Sequence, residues 1–485
     1  MRAENSPMKA KSASAPVLCV DLDGTLLATD MLWESVLRLV KQRLHLLFAL
    51  PFWLVRGRAH LKHRLAAHVS VDPTTLPFRE DVVSFLAKEQ KSGRKIVLVT
   101  AWDRQLVEPI VQHLGLFHDV IATDSIVNLA GAKKREALEN RFGYHQFDYI
   151  GNTAADLSVC DSANASLLVE SSRKTLTRAK RLASVQYIFH GKANRWAALV
   201  KALRYSQWSK NLLIFVPLLT SHKVFDTALI LNALTAFVAM SFCASSIYII
   251  NDFFDVEADR QHPKKKLRPF AAGTVSIPAG AAMAATMCLG GFVLGWLILP
   301  LRFIWLLLAY VALTISYSVL LKRKLVADVI TLALLYTLRI LIGGAAIDVH
   351  ISPWLLAFSV FLFLSLAFVK RYGEIDTLGK SPDEEMPGRA YIAADKEWMR
   401  SMGSTSGYLS VLVFALYING REVTILYQRP EMLWFACPAL LYWVTRFWLL
   451  AARGKVDDDP LVFALKDRVS YAVAIAVLLS AVVAL

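Results

Sequence analysis

Two hydrophobic rhythms divide this chain. From about Pro16 to Glu170, short apolar runs alternate with helical stretches. The runs are VLCV (17–20), KIVLV (95–99), DVIAT (119–123), FDYI (147–150) and SLLVE (166–170). Short β-rich runs separated by helical segments predict a parallel α/β sheet. The stretch 31–66 breaks the rhythm with amphipathic helix. Its most apolar part, LHLLFALPFWLV (44–55), contains a Pro and is too short to span a bilayer. It reads as a helical cap, about 30–78, over the sheet. From Leu212 onward long apolar runs take over. Nine candidate spans lie near 205–221, 227–250, 279–300, 303–321, 327–346, 352–369, 404–420, 431–451 and 469–485. The first is short and carries Lys210 and Asn211. The expected fold is an N-terminal α/β Rossmann-like domain with a helical cap, followed by an all-α polytopic membrane domain.

Residues 1–15 are polar and small, with no apolar core of a secretory signal, and read as a disordered tail. Residues 171–210 hold ten Lys or Arg and no Asp or Glu. Within them, RWAALVKALRYSQW (195–208) has the pattern of a helix lying in an anionic interface. The expected division is a tail at 1–15, an α/β domain at 16–170, a basic linker with interfacial helix at 171–203 and a membrane domain at 204–485.

Composition agrees with a membrane protein. Hydrophobic residues make up 55% of the 485, and charged residues only 19%. The net charge of +15 could belong to a nucleic-acid binder, but its placement argues otherwise. The loops at 252–278, 322–328, 370–403 and 453–468 hold eighteen Lys or Arg, and the opposite loops only Lys223, Arg302, Arg421 and Arg429. The positive-inside rule puts the first set in the cytosol, with the α/β domain, and the C-terminus on the far side of the cell (inner) membrane. The expected partners are the bilayer and anionic ligands, with no nucleic acid; a homo-oligomer is compatible with the sequence. Five scattered cysteines without a CxxC suggest neither a disulfide framework nor a zinc site.

Candidate chemistry clusters in two acidic motifs. In VLCVDLDGTLL (17–27), Asp21 and Asp23 follow a run of β-formers. Two carboxylates at a strand's C-terminal end project into the crevice where α/β sheets bind ligands. One suits attack on phosphorus and the other suits proton transfer, with Mg²⁺ neutralising the phosphate. Thr100 ends the second strand and can hold a phosphoryl oxygen. Lys134, or its neighbour Lys133, supplies a counter-charge. Asn152 and Asp156 follow a further strand as candidate metal holders. The ordered set Asp21/Asp23, Thr100, Lys134 and Asp156 resembles the haloacid dehalogenase superfamily of phosphotransferases over about 17–170. That resemblance implies Asp21 as nucleophile, Asp23 as general acid/base and Asp21, Asp23 and Asp156 around Mg²⁺. Asn152 departs from the pattern, standing where many members carry an acid.

The second motif is SSIYIINDFFDVEADRQHPKKKLRPFAAG (245–273). Helical steps of three and four keep Asp252, Asp255 and Asp259 on one face. Oxygen-only ligands favour Mg²⁺, which leaves positions open for substrate phosphates. Asn251, His262, Lys264, Lys265, Lys266 and Arg268 lie beside them. The motif resembles the UbiA-type superfamily of membrane prenyltransferases over about 195–485. Prenyl-donating members usually carry a second acidic motif. Here the matching stretch, YSVLLKRKLVADV (317–329), gives Tyr317, Lys322, Arg323, Lys324 and a single Asp328. A basic cluster binds a phosphate directly. LRYSQWSKNLLIFVPLL (203–219), LRILIGGAAIDVHISPW (338–354), FVKRYGEI (368–375) and DPLVFALKDRVS (459–470) are similar to the decaprenyl-phosphate phosphoribosyltransferase branch. That branch implies 5-phosphoribosyl diphosphate and a polyprenyl phosphate as substrates. Arg204, Lys210 and Lys322 would meet phosphates, and Arg339, inside a span, would face the cavity. Lys370, Arg371 and Glu374 sit where a span meets the cytosol. The alternative is a prenyltransferase using a polyprenyl diphosphate and an aromatic acceptor, with the α/β domain as a scaffold.

Overall fold

The computed structural model describes residues 15–123, 129–169, 173–179, 182, 184–189, 194–376, 383, 386, 389–456 and 459–485. The expected tail at 1–15 lies almost wholly outside the described residues. The chain forms two compact units. The first comprises 1–202 with 249–282, and the second 203–248 with 283–485.

The first unit is built on a six-stranded sheet. Its strands are β1 (Val17–Asp21), β2 (Ile96–Asp103), β3 (Asp119–Thr123), β4 (Phe147–Gly151), β5 (Ser166–Val169) and β6 (Val185–Phe189). The spatial order is β3-β2-β1-β4-β5-β6, with every pairing parallel. Parallel strands are covered on both faces, which is why their sequences are continuous apolar runs instead of alternating ones. Successive β1 residues enter different cores. Leu18 and Val20 pack with Leu98 and Ile150, whereas Cys19 packs with Val97, Val99 and Tyr149. Five strands match the apolar runs in the sequence. The sixth lies in the basic stretch 171–203, and Tyr187 on it is exposed. One end of the sheet is tied by a buried ion pair between Arg94 and Asp148, with Glu89 accepting from Arg94 at 2.8 Å.

Strand order reverses between β1 and β4, so the carboxyl ends of β1, β2 and β4 border one crevice. Helices Met31–Gln42 and Arg58–His68, joined through Leu44–Val55, form the predicted cap insertion between β1 and β2.

The second unit is helical. Among the described residues, seven helices are long and apolar enough to cross a membrane: Thr227–Gln261, Ile277–Ile298, Leu301–Arg323, Ala327–Ala346, Pro353–Ile375, Ala393–Ile418 and Pro430–Ala452. Two of the nine expected spans are shorter. Residues 205–221 fold as a 3₁₀ stretch, Tyr205–Phe215, and a five-residue helix, Val216–Thr220. The final helix, Arg468–Ala484, has 17 residues.

Close backbone approach fixes one helix crossing in this unit. A Cβ added to Gly343 would lie 2.1 Å from the carbonyl oxygen of Ile214. We expect Gly343→Ala to destabilise the bundle by about 1–3 kcal/mol. A thermal melt of the reconstituted chain checks this; an unchanged midpoint would contradict it.

Candidate functional sites

The first site grows from the end of β1. Asp21 is the strand's last residue, and the chain then turns through Gly24, whose φ of 70° suits glycine. A Cβ there would also lie 2.0 Å from Asn152 Nδ2, so the turn brings the β1 and β4 loops together. Lys134 Nζ donates to Asp21 Oδ1 at 2.6 Å and lies 3.7 Å from Asp156 Oδ1. Tyr149 donates its hydroxyl to Asp156 at 2.8 Å. Asp156 Oδ2 accepts from the Thr153 amide at 2.9 Å and the Thr153 hydroxyl at 2.6 Å. Thr25 donates to Asp21 at 3.3 Å. Thr100 is fully buried and accepts from the Trp102 amide at 3.2 Å.

Asp23 is held differently. It accepts from the Met31 amide at 2.8 Å and from the Trp102 indole at 2.8 Å. Lys62, from the cap, donates to the Ala101 carbonyl at 3.1 Å and lies over the Trp102 ring.

Burial sets the electrostatics. It pushes the Asp21 carboxyl up to about 6, against the pull of Lys134, and Asp156 adds to the rise. It pushes Asp23 further, to about 7, helped by Asp30 and Asp21. Burial also disfavours charge on Asp156, but Lys134 and the bonds from Thr153 and Tyr149 outweigh it, and its carboxyl falls below the usual range. Asp21 and Asp156 both lie beside Lys134, while Asp23 is held apart by the Met31 amide and the Trp102 indole. Two such environments suit nucleophile and acid roles.

The sequence named Asp21, Asp23, Thr100, Lys134 and Asp156, and the fold brings all five to the same end of the sheet. It did not name Trp102, Tyr149, Thr153 or Lys62. Aromatic and hydroxyl residues near strand ends are too common to stand out without the three-dimensional contacts.

The second acidic motif lies on the C-terminal part of the Thr227–Gln261 helix, within the first unit. Asp252 and Asp259 are buried, and Asp255 and Asn251 are half-buried. Arg268 Nη1 donates to Asp259 at 2.6 Å and lies 3.6 Å from Asp252. A guanidinium thus sits between two of the three acids. Among the described residues no three His, Cys, Asp or Glu side chains form a ready metal cluster. Lys264 is exposed. The helix is clamped by residues that no sequence motif marks. Arg38 and Lys41 donate to Glu257 at 2.6 and 3.1 Å, and Arg260 grips Glu34 at 2.6 and 3.0 Å.

In the second unit, Asp328 is fully buried. Arg371 bonds both its oxygens, at 2.5 and 3.0 Å, and Arg389 lies 3.3 Å away. Tyr317 donates to Asp328 at 2.9 Å and accepts from Arg371 at 2.8 Å. Lys322 is half-buried on the following turn. Lys210 is buried and ion-paired with Asp459. Arg339 donates to Asn211 at 3.0 Å, to the Leu335 carbonyl at 2.5 Å and to the Tyr310 hydroxyl at 3.2 Å. Its guanidinium has partners from the protein itself, which charge inside a span requires.

Comparison with known proteins now decides the family. Residues 212–466 match the UbiA prenyltransferase family, and residues 18–159 match haloacid dehalogenase-like hydrolase. A protein of Sinorhizobium fredii, "Uncharacterized protein y4nM", is 35% identical over 94% of this chain and 88% of its own length. The chain belongs to the UbiA prenyltransferase family. It is an enzyme and a multi-pass membrane protein, with a haloacid dehalogenase-like domain at its N-terminal end. "Nodulation protein NoeC" of Azorhizobium caulinodans is 32% identical over 56% of this chain and 90% of that protein. "Decaprenyl-phosphate phosphoribosyltransferase" of Mycolicibacterium smegmatis is 29% identical over 57% of this chain and 88% of that protein.

One prediction concerns the indole that orients Asp23. We expect Trp102→Phe to lower hydrolysis of a generic phosphate ester about tenfold, the loss of one buried hydrogen bond to a charged or charging group. An ester assay on the full chain measures it, with unchanged activity as the contrary outcome.

Proposed function

We propose that this enzyme transfers 5-phosphoribose from 5-phosphoribosyl diphosphate to a polyprenyl phosphate, releasing diphosphate, and then removes the 5-phosphate. The observation that carries the first half is the state of Asp328. UbiA-type prenyl donors are held by two acidic motifs; here the second position is one aspartate neutralised by Arg371 and Arg389. A cationic second motif favours direct binding of a phosphate over a second metal. The similarity to the phosphoribosyltransferases supports the same reading.

Each acidic site offers carboxylate oxygens, the donor type Mg²⁺ takes, though they are not drawn into a ready cluster among the described residues. Each set is oxygen-rich, and each already holds a cationic side chain among its carboxylates, Lys134 in one and Arg268 in the other. Asp252, Asp255 and Asp259 would hold the ion in the transferase site, and Asp21 and Asp156, with the backbone carbonyl of Asp23, in the hydrolase site. Bound there, Mg²⁺ neutralises phosphate charge.

In the transfer, Asn251, Lys264 and Arg268 bind and orient the diphosphate as it leaves the anomeric carbon. Arg204, Lys210, Tyr317 and Lys322 hold the anionic groups of the two substrates, and Asp328 with Arg339 keeps the surrounding side chains in place. A lipid phosphate oxygen attacks the carbon as the bond to diphosphate breaks. Most of the rate comes from positioning and electrostatics. In the hydrolysis, Asp21 attacks phosphorus to form an aspartyl phosphate. Asp23 gives its proton to the leaving 5-oxygen, then takes one from the water that releases phosphate. Thr100 and Lys134 hold the phosphoryl oxygens. Tethering the two activities raises the local concentration of the intermediate lipid. The excess of Lys and Arg in one set of loops supports a cytosolic face for both sites.

A donor comparison tests this. The purified chain with Mg²⁺ is offered 5-phosphoribosyl diphosphate with polyprenyl phosphate, or polyprenyl diphosphate with an aromatic acceptor. Turnover with the first pair and its loss on chelation are expected. Turnover only with the second pair would overturn the reading.

A further inference from the structure

The cap segment Leu44–Val55 has two faces, and only one is used by the fold. Leu46, Ala49 and Leu50 pack against the main core of the first unit, and Trp53 is buried within it. Trp53 stacks on His68 with ring centroids 5.6 Å apart, and Arg64 lies over its ring. The inner face is therefore fixed. The outer face carries Leu44, Phe48, Phe52 and Val55, spaced four, four and three residues apart, with Leu54 beside them. Phe48 is 79% exposed, Phe52 73% and Val55 88%. Large apolar side chains so grouped and so exposed mark a surface that meets a partner.

Charge identifies the partner. Between Ser35 and Val71 the chain has seven Lys or Arg and no Asp or Glu. Arg43, Arg56 and Arg58 flank the apolar segment and are exposed. An apolar face bordered by cations fits the surface of an anionic bilayer, where the rings reach the acyl boundary and the guanidinia remain among the headgroups. The segment has 12 residues, too few to cross.

The same unit already holds part of a membrane helix. Residues 249–261 are the end of the Thr227–Gln261 candidate span. Helix Met31–Gln42, which leads directly into the segment, lines an apolar cavity of about 180 Å³ with that end, through Leu37 and Val40 on one side and Ile250, Phe253 and Phe254 on the other. The cap helix thus lies beside the end of a candidate span.

We propose that the outer face of residues 44–55 lies in the headgroup region of an anionic bilayer, as a lipid-binding surface of the hydrolase cap. This holds the cap at the membrane whatever lipid the two active sites act on.

The test uses the full chain in nanodiscs containing phosphatidylglycerol. Phe52→Cys and Val55→Cys variants carry a nitroxide, and the unsubstituted chain, treated in the same way, gives the background from Cys288. Both positions are highly exposed, so neither replacement removes a core contact. We expect each label to be severalfold more accessible to oxygen than to a water-soluble nickel chelate, with the preference weakened in phosphatidylcholine discs. Labels that favour the nickel chelate at both positions, as in free water, would overturn the proposal. So would spin–spin broadening that develops only when two chains share a disc, which would make a second copy of this chain the occupant.

Discussion

On the proposed function, replacing Asp21 by Asn is expected to leave the transfer reaction running and to stop hydrolysis of its product. Asp21 is buried, bonded to Lys134 and Thr25, and close to Asp156. An amide of the same shape keeps the packing but cannot attack phosphorus. Loss of a nucleophile in a cooperating set costs roughly 10³-fold or more in kcat. The 5-phosphorylated lipid then accumulates, while the rate of ribose transfer from the donor is unaltered. Asp23→Asn acts in the same direction, by roughly 10²- to 10⁴-fold, the usual contribution of a general acid/base. Lipid extracts separated by mass report both. An Asp21→Asn chain that yields the same product ratio as the unsubstituted one would remove the hydrolase domain from the pathway.

Asp252→Asn has the complementary effect. On the proposed function, transfer to lipid is expected to fall roughly 10²- to 10³-fold, the scale of removing one electrostatic contact to a developing charge. Hydrolysis of a generic phosphate ester by the same chain is expected to persist. Asp252 and Asp259 share Arg268, so their replacement effects should not add. A double-mutant cycle between the two, read in transfer rate, checks the sharing. Simple additivity would place Arg268 outside the site's chemistry. Equal loss of both activities in Asp252→Asn would instead indicate a folding defect.

The sequence carried the architecture well where patterns are long or chemically unusual. The β1 run ending in Asp21 and Asp23 was legible because two acids closing an apolar strand are costly in a core and suit a ligand crevice. The face of Asp252, Asp255 and Asp259 was legible through helical spacing alone. The sixth strand was not. VQYIF is short, lies at the sheet edge, and sits among basic residues that read as a linker. The first expected span dissolved into 3₁₀ structure, and the marginal length and polar Lys210 and Asn211 already marked it as weak. Arg339 looked like a cavity residue, since charge within a span needs a reason; the structure supplies Asn211, Leu335 and Tyr310 as partners. Pairings such as Arg260 with Glu34, 226 positions apart, leave no local signal at all.

The central claim is that one chain both attaches 5-phosphoribose to a lipid and strips its 5-phosphate. The direct measurement uses 5-phosphoribosyl diphosphate labelled with carbon in the ribose and, separately, with phosphorus at the 5-position. The purified chain, Mg²⁺ and polyprenyl phosphate are added, and both labels are followed between organic and aqueous phases. The account predicts that carbon label enters the organic phase and stays, while phosphorus label enters and then leaves as inorganic phosphate. Failure of the carbon label to enter the organic phase would contradict it.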